Sequence, residues 1–155
     1  MQGEARGIEQ LNARLAEELT AINQYFVHTE MCENWRYGGL AEPIKKRAIV
    51  EMKHAEQLIE RILFLDGRPI VSNLNKIDIG DSVSKMHTND LAAELDAVKA
   101  YNESIRVCVE LKDNGTKEML EAILGDEEDH VDWLEAQLSQ IEQTGLENYL
   151  TEQIA

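Results

Sequence analysis

Apolar residues recur at steps of three and four along four long stretches of the chain, which is the spacing of amphipathic helices. A glycine-containing turn at residues 37–39 ends the first stretch, and Pro43 is placed to open the second helix at its first turn. Gly67 and Pro69 mark the end of the second stretch. Residues from about 69 to 82 show no sustained period, so they predict a long crossover between the second and third helices.

Helical spacing returns near Val83 and continues to Asp113. The Asn-Gly-Thr segment at 114–116 predicts a tight turn into a fourth helix, which Thr144 and Gly145 close before a short tail. The predicted fold is all-α: a four-helix bundle with one long crossover and a short C-terminal fifth helix. At 155 residues, the chain predicts one domain spanning 1–155.

The stripe of apolar positions that each predicted helix turns toward the core also contains charged side chains. These lie in phase with leucine and isoleucine, so a solvated acidic face does not explain them. Burying four unpaired carboxylates would be costly or would force them to take up protons, and a bound cation removes that cost. The stripe predicts a metal centre whose candidate ligands and catalytic residues are Glu18, Glu51, His54, Glu94, Glu127 and His130.

When the sequence is aligned with itself after a shift of 76 residues, the candidate ligands pair with one another. The surrounding leucines and alanines match at the same offset, so the first two helices resemble a duplicated copy of the last two. We therefore predict an internal duplication and a bundle with pseudo-twofold symmetry. The pairs related by the offset are Glu18 and Glu94, Tyr25 and Tyr101, Glu51 and Glu127, and His54 and His130.

The ligand set favours two divalent ions. A Glu and a His three positions apart project from one side of a helix, so each Glu-x-x-His pair can aim an oxygen and a nitrogen inward. Glu18 and Glu94 would then supply bridging carboxylates, and the mixed oxygen and nitrogen donors suit Fe(II) or Mn(II). Tyr25 lies two turns after Glu18 on the same face, where it can hydrogen-bond to a ligand or donate an electron. Tyr101 has the same phase in the second copy.

Charge and cysteine content narrow the classes of partner. The chain has 30 acidic and 15 basic side chains and a formal charge of −15, which disfavours nucleic acid and anionic membranes and favours cations. Cys32 and Cys108 are its two cysteines, so neither a disulfide scaffold nor a rubredoxin-type module is expected. No apolar signal core or membrane-length window is present, and we expect a cytoplasmic location.

Several stretches together resemble the bacterioferritins over essentially the full chain. The resemblance implies a ferritin-like bundle whose six candidate ligands form a ferroxidase centre, in a homo-oligomeric hollow shell of 24 subunits that stores ferric mineral. Dioxygen or hydrogen peroxide would be the oxidant of Fe(II). The matching stretches are residues 18–26, 51–55, 59–65, 126–133 and 145–150.

Met52 follows the candidate ligand Glu51, but points about 100° away from it onto another face. That face forms a second apolar stripe, at positions 49, 52, 56, 59 and 63, which a partner subunit could cover. The resemblance implies that Met52 gives its thioether to haem b at a twofold subunit interface, the symmetry mate supplying the other axial ligand. Leu19, Asn23 and Phe26 are the expected pocket walls. The resemblance also implies a small iron-sulfur ferredoxin as a partner for iron release.

The chain departs from the family pattern in the second helix. Lys46 and Val50 stand where some members carry a cavity-wall iron site, which argues against such a site here. The basic segment at residues 45–47 is interpreted as a solvated helix turn. His28 and His87 fall near helix flanks and are expected at the surface or an interface, and Cys32 is expected to be half-exposed, whereas Cys108 is expected in the core.

Two alternatives remain open from the sequence. A di-iron or di-manganese oxidase, peroxidase or catalase could use the same ligands without storing iron. An acidic scaffold could instead hold a purely structural metal, although such a role needs neither two ions nor the flanking Tyr25.

Overall fold

The computed structural model of the protein describes residues 1–154, and their secondary structure is helical without strands. The four long helices and the short fifth confirm the predicted all-α bundle. None of these helices is both long and apolar enough to span a membrane. The helices are α1 (Ala5–Asn34), α2 (Gly38–Phe64), α3 (Val83–Glu110), α4 (Asn114–Thr144) and α5 (Leu146–Thr151).

Two apolar clusters fill the bundle, one on either side of a charged layer. Along α1, Leu11 and Leu15 belong to the first cluster, whereas Tyr25 and Cys32 belong to the second. Glu18 lies between them along the helix and is buried. The helices pack chiefly as the pairs α1 with α2 and α3 with α4, and α1 also contacts α3. The charged layer is therefore enclosed by core at both ends.

Helix α2 begins earlier than the sequence predicts. It starts at Gly38, because Arg36 takes a positive φ of 67° and the Tyr37 carbonyl then accepts from the Leu40 and Ala41 amides at 3.1 and 3.0 Å. Pro43 consequently lies in the second turn and not in the first. The early start brings the chain close to the tail, where a Cβ on Gly39 would lie 3.1 Å from the Gln153 carbonyl oxygen.

The start of α4 also differs by one turn from the predicted loop. Residues 114–116 form its first turn and not a separate connection. Asp113 caps this turn, because its carboxylate accepts from the Thr116 amide at 3.1 Å and from the Thr116 hydroxyl at 2.5 Å. At the other end, Gly145 takes a φ of 84°, a conformation that suits glycine and ends the helix where the sequence predicts.

Side chains of α1 bind the long crossover, beginning with Asn12 Oδ1, which accepts from the Ile70 amide at 2.9 Å. Thr20 Oγ1 accepts from the backbone amide of residue 75 at 2.8 Å, and Gln24 Oε1 accepts from that of residue 78 at 3.0 Å. His28 Nε2 accepts from the Gly80 amide at 3.0 Å, and its Nδ1 lies 3.0 Å from an Asp90 carboxylate oxygen. These bonds hold the crossover against the side of the bundle.

Three expectations about exposure are wrong. His28 and His87 are fully buried and do not lie at the surface. Asp90 and the Gly80 amide bond to the two ring nitrogens of His28, and His87 Nε2 lies 3.0 Å from the Tyr149 hydroxyl oxygen. Cys32 is also fully buried, beside Met86. Cys108 lies in the core as predicted.

Candidate metal centre

Four of the predicted ligands form one tight, buried group in the charged layer. Glu18 comes from α1, Glu51 and His54 come from α2, and Glu127 comes from α4. Each offers one donor atom, and these atoms all lie within 4.8 Å of one another. The three-residue spacing of Glu51 and His54 places both on the inner side of α2, as helix geometry requires.

The other two predicted ligands form an adjoining pair. His130 on α4 places Nδ1 3.0 Å from Glu94 Oε1 on α3, and both side chains are buried. Glu127, one turn before His130, belongs to the first group and connects it to this pair. We call the first group the His54 side and the Glu94–His130 pair the His130 side.

All six residues leave a buried polar atom without a hydrogen bond, within the part of the chain that the structure describes. Buried polar atoms are normally satisfied in folded proteins, so a concentration of six at one place calls for a ligand. Carboxylate oxygens and imidazole nitrogens are the donors that Fe(II) and Mn(II) accept. The residues therefore fit a pair of divalent ions. The atoms are Glu18 Oε2, Glu51 Oε1, His54 Nδ1, Glu94 Oε2, Glu127 Oε1 and His130 Nδ1.

The two buried tyrosines bond to carboxylates of the opposite helix pair. The Tyr25 hydroxyl on α1 donates to Glu94 on α3, and the Tyr101 hydroxyl on α3 donates to Glu18 Oε1 on α1 at 2.5 Å. Both tyrosines are fully buried. Each bond fixes one oxygen of its glutamate and leaves the other oxygen of that glutamate without a hydrogen bond.

The protonation of the centre is set by burial and by the crowding of like charges. Burial and the neighbouring Glu51 raise the pKa of Glu18, and burial with Glu94 raises that of Glu127. Burial opposes ionisation of Glu94 as well, but bonds to Glu127 and His130 lower its pKa to about 2. Burial disfavours the His54 imidazolium, yet the surrounding carboxylates raise the His54 pKa well above its ordinary value. Metal binding at this centre must therefore displace protons.

Two residues at the centre were not identified from the sequence. Arg47 Nη2 lies 2.7 Å from Glu51 Oε1 and 3.2 Å from Glu127 Oε2, so the expected solvated turn at residues 45–47 is wrong for its last member. The spacing of four residues between Arg47 and Glu51 is the signal that could have revealed this contact. Asp126 Oδ2 lies 2.8 Å from His54 Nε2 and orients the imidazole.

Aromatic rings surround His130. The Trp133 ring stacks on it at 6.1 Å between centroids, and the Tyr25 ring meets it edge-on at 5.3 Å. The His87 ring lies edge-on to the Trp133 ring, with 5.7 Å between the two ring centroids. The His130 side is therefore packed by rings, whereas the His54 side is packed by carboxylates.

A cavity of about 140 Å³ reaches the carboxylates from the crossover side of the bundle. Its lining includes Glu18, Glu51, Glu94 and Glu127 together with Glu17 and segments of the crossover. Burial raises the pKa of Glu17 to about 7, because the Arg14 guanidinium only partly compensates for it. The carboxylates of this lining favour a small cation over an anion.

The predicted haem residues lie on the surface of the α1–α2 pair. Met52 is 41% exposed and Phe26 is also 41% exposed. Asn23 is exposed, with its amide donating to the Leu19 carbonyl at 3.0 Å, and Leu19 is half-buried. Ile49 and Leu63 are exposed as well, so these members of the apolar stripe predicted along α2 lie at the surface of the described residues, 1–154.

Comparison with known proteins gives a consistent assignment. A family model described as the ferritin-like domain matches residues 8–144. A bacterioferritin of Rhodobacter capsulatus is 42% identical over 149 residues, covering 96% of this chain and 92% of the relative. Bacterioferritin BfrA of Mycobacterium tuberculosis (strain ATCC 25618 / H37Rv) is 40% identical over 149 residues, covering 96% and 94%. A bacterioferritin of Brucella melitensis is 40% identical over 149 residues, covering 96% and 92%.

Proposed function

The chain belongs to the bacterioferritins of the ferritin-like family, and we propose that it oxidises Fe(II) at the buried carboxylate–histidine centre and stores the ferric product. The observation that carries this proposal is the set of six buried donor atoms without hydrogen bonds. A purely structural metal would not need two adjoining donor groups. We further propose that 24 copies form the hollow shell in which the mineral accumulates.

Fe(II) is the substrate, and its ligands would be Glu18, Glu51 and His54 with Glu94, Glu127 and His130. His54 gives up its proton when it binds, so binding weakens at low pH. Two Fe(II) ions supply two electrons, which with two protons reduce dioxygen to hydrogen peroxide or peroxide to water. Tyr25 and Tyr101 hold the carboxylates of Glu94 and Glu18 in place during turnover.

We propose that Met52 also binds a haem shared by two copies of the chain. Its side chain is exposed beside Ile49 on the apolar stripe of α2 in the part of the chain that the structure describes, and a soft sulfur ligand suits a high-potential electron-transfer haem. Leu19, Asn23 and Phe26 would form the walls. The haem would supply electron transfer into the mineral, with an iron-sulfur ferredoxin as donor. The cytoplasmic location expected from the sequence stays a prediction.

Substitution of the ligands tests the oxidation. Glu18→Ala, Glu94→Ala and His130→Ala should each slow rapid Fe(II) oxidation at least about a hundredfold in stopped-flow absorbance. The metal-free Glu18→Ala variant should be no less stable than the parent, because burial and Glu51 raise the Glu18 pKa and removing this carboxylate relieves repulsion. Glu135→Ala, an exposed glutamate on α4, is the matched control and should oxidise Fe(II) at the parent rate. A ligand variant with the parent rate would refute the centre.

Substitution of Met52 tests the haem separately. With haem supplied during expression, Met52→Leu should lose tightly bound haem while still oxidising Fe(II), and Met52→His should keep haem with an altered spectrum. An unchanged Soret band in Met52→Leu would place the ligand elsewhere.

Electron microscopy of the same preparations tests storage, because hollow particles that load with iron exclude an oxidase without a shell.

A further inference from the structure

Arg47 places a positive charge inside the candidate centre. It lies on α2, one turn before Glu51, and its side chain is only 12% exposed. Nη2 lies 2.7 Å from Glu51 Oε1 and 3.2 Å from Glu127 Oε2. None of the six proposed ligands is an arginine, so this cation has no part in the metal chemistry described above.

Arg47 and His54 divide the oxygens of the same two glutamates between them. His54 Nδ1 lies 3.2 Å from Glu127 Oε1 and 3.8 Å from Glu51 Oε2. Arg47 faces the other oxygen of each carboxylate. The guanidinium therefore stands on the side of Glu51 and Glu127 that is turned away from His54.

The charge of Glu94 also acts on Arg47. Burial lowers the Arg47 pKa, but the charges of Glu51, Glu94 and Glu127 outweigh it and raise that pKa above its ordinary value, so the guanidinium is always charged. Glu94 pairs with His130. Glu127 connects the two sides of the centre, and Arg47 contacts the Glu127 oxygen that His54 does not face. A divalent ion on the His130 side that takes this oxygen would therefore be repelled by the guanidinium.

Charge, and not directed hydrogen bonding, holds Arg47 in this position. Nη1 donates to the Asp126 carbonyl at 2.9 Å. Among residues 1–154, Nε and Nη2 are buried without a hydrogen bond, although Nη2 lies close to two carboxylates. A side chain held this way can be released when a stronger cation takes its carboxylates.

We propose that Arg47 is a built-in counter-cation that competes with the second of two divalent ions. This inference rests on the proposed two-ion function. The first ion binds on the His54 side with Arg47 in place. The second ion binds on the His130 side only when the guanidinium withdraws from Glu51 and Glu127. The two ions should therefore bind with unequal affinity.

Titration of the metal-free protein with Co(II), followed by visible absorption and calorimetry, tests the order of binding. The parent should bind two Co(II) per chain in a tight and a weak step. Arg47→Leu should tighten the weak step at least about tenfold and change the tight step less than about threefold. Arg47→Lys, which keeps the charge, should resemble the parent. Lys46→Leu removes the same charge from a 73% exposed neighbour and should change neither step.

Thermal denaturation distinguishes competition from a structural role. Arg47→Leu should be less stable than the parent without metal and equally stable when loaded with Co(II), because the second ion replaces the lost charge. Equal destabilisation in both states, or a second step that is unchanged or weaker, would overturn the proposal. If Arg47→Leu does not fold, Arg47→Gln gives the same test. A parent protein that binds no Co(II) would instead refute the two-ion centre itself.

Discussion

The two sides of the candidate centre carry the same ligand types in different surroundings. His54 lies between 3.2 and 3.8 Å from three carboxylates and has Asp126 on its other nitrogen, whereas His130 pairs with Glu94 and packs against Trp133 and Tyr25. The ligands and tyrosines keep the 76-residue correspondence, but three residues beside the ligands do not. The surroundings of the His54 side are therefore charged, whereas those of the His130 side are aromatic.

Three positions account for this difference. At the 76-residue offset, Asp126 corresponds to Val50, so His130 has no equivalent of the carboxylate that orients His54. Trp133 corresponds to the exposed Gln57, and Arg47 corresponds to Ile123, which is buried in the core. The comparison teaches that equal ligand sets need not give equal sites, because the surrounding charge and packing set the affinity.

The largest expected effect is on stability and concerns the apolar core outside the centre, where the α1–α2 and α3–α4 pairs should behave alike. Leu58 and Leu134 are related by the offset, and both are fully buried. Leu58→Ala and Leu134→Ala should each lower the free energy of unfolding by about 2–5 kcal/mol, with similar values, since each leaves a comparable cavity. Urea denaturation of the metal-free variants measures this. A loss confined to one variant would show that divergence extends into the core.

The next effect is a pH-dependent change in stability that only one of the two helix pairs should show. Glu17 corresponds to Ala93, and the native pKa of Glu17 is raised to about 7. Between its ordinary pKa and pH 7 the folded state holds this proton and the unfolded state does not, so stability falls as pH rises. Glu17→Gln should raise the stability of the metal-free protein by up to about 3 kcal/mol at pH 8 and leave it unchanged near pH 4.

Denaturation of Glu17→Gln and the parent at both pH values measures this difference. The matched control is Glu9→Gln, which changes an exposed glutamate on the same helix and should show no such pH dependence. A Glu17→Gln variant whose advantage is the same at pH 4 and pH 8 would contradict the raised pKa.

A smaller effect is expected from the tyrosines. Tyr25→Phe and Tyr101→Phe each remove a hydrogen bond to a buried glutamate, and each should lower stability by about 1–3 kcal/mol. Tyr25→Phe should slow Fe(II) oxidation several-fold more than Tyr101→Phe does, because the Tyr25 ring also contacts His130, whereas the Tyr101 ring faces Arg14. Stopped-flow rates at saturating Fe(II) measure this. Equal slowing in both variants would make the two sides functionally equivalent.

The smallest expected effect is an absence of reaction. Cys32 and Cys108 are related by the offset, both are buried, and burial raises the pKa of each thiol to about 11. Since the thiolate is the reactive form, neither should react with a disulfide reagent in the folded protein at pH 8, and both should react after denaturation. Rapid labelling of one cysteine in the folded state would show that its copy is locally open.

The fold could largely be predicted because hydrophobic periodicity is a local property. The bodies of the four long helices, the crossover and the placement of six charged residues inside the core stripe all follow from spacing along single helices. The start of α2 could not be predicted, because it depends on the positive φ of Arg36 and on the tail that passes Gly39.

The environment of the centre was harder to predict, because partners come from distant parts of the chain. His28 is buried by Asp90 and by the crossover amide of Gly80, and His87 is buried by Tyr149 from α5. Arg47 is a basic residue in a basic segment, and its direction depends on the Glu127 carboxylate of another helix. Pairings of this kind are decided by tertiary structure.

The crossed bonds from Tyr25 to Glu94 and from Tyr101 to Glu18 have a consequence for ancestry. The tyrosine of each helix pair donates a hydrogen bond to a glutamate of the other pair. Contacts between the two subunits of a twofold dimer are reciprocal in the same way. Two identical hairpins with one Glu, one Tyr and one Glu-x-x-His would already complete such a centre. We propose that the chain arose by joining two such hairpins in one gene. Joining would have released each hairpin from this symmetry, so that positions 47 and 123 could come to hold an arginine and an isoleucine.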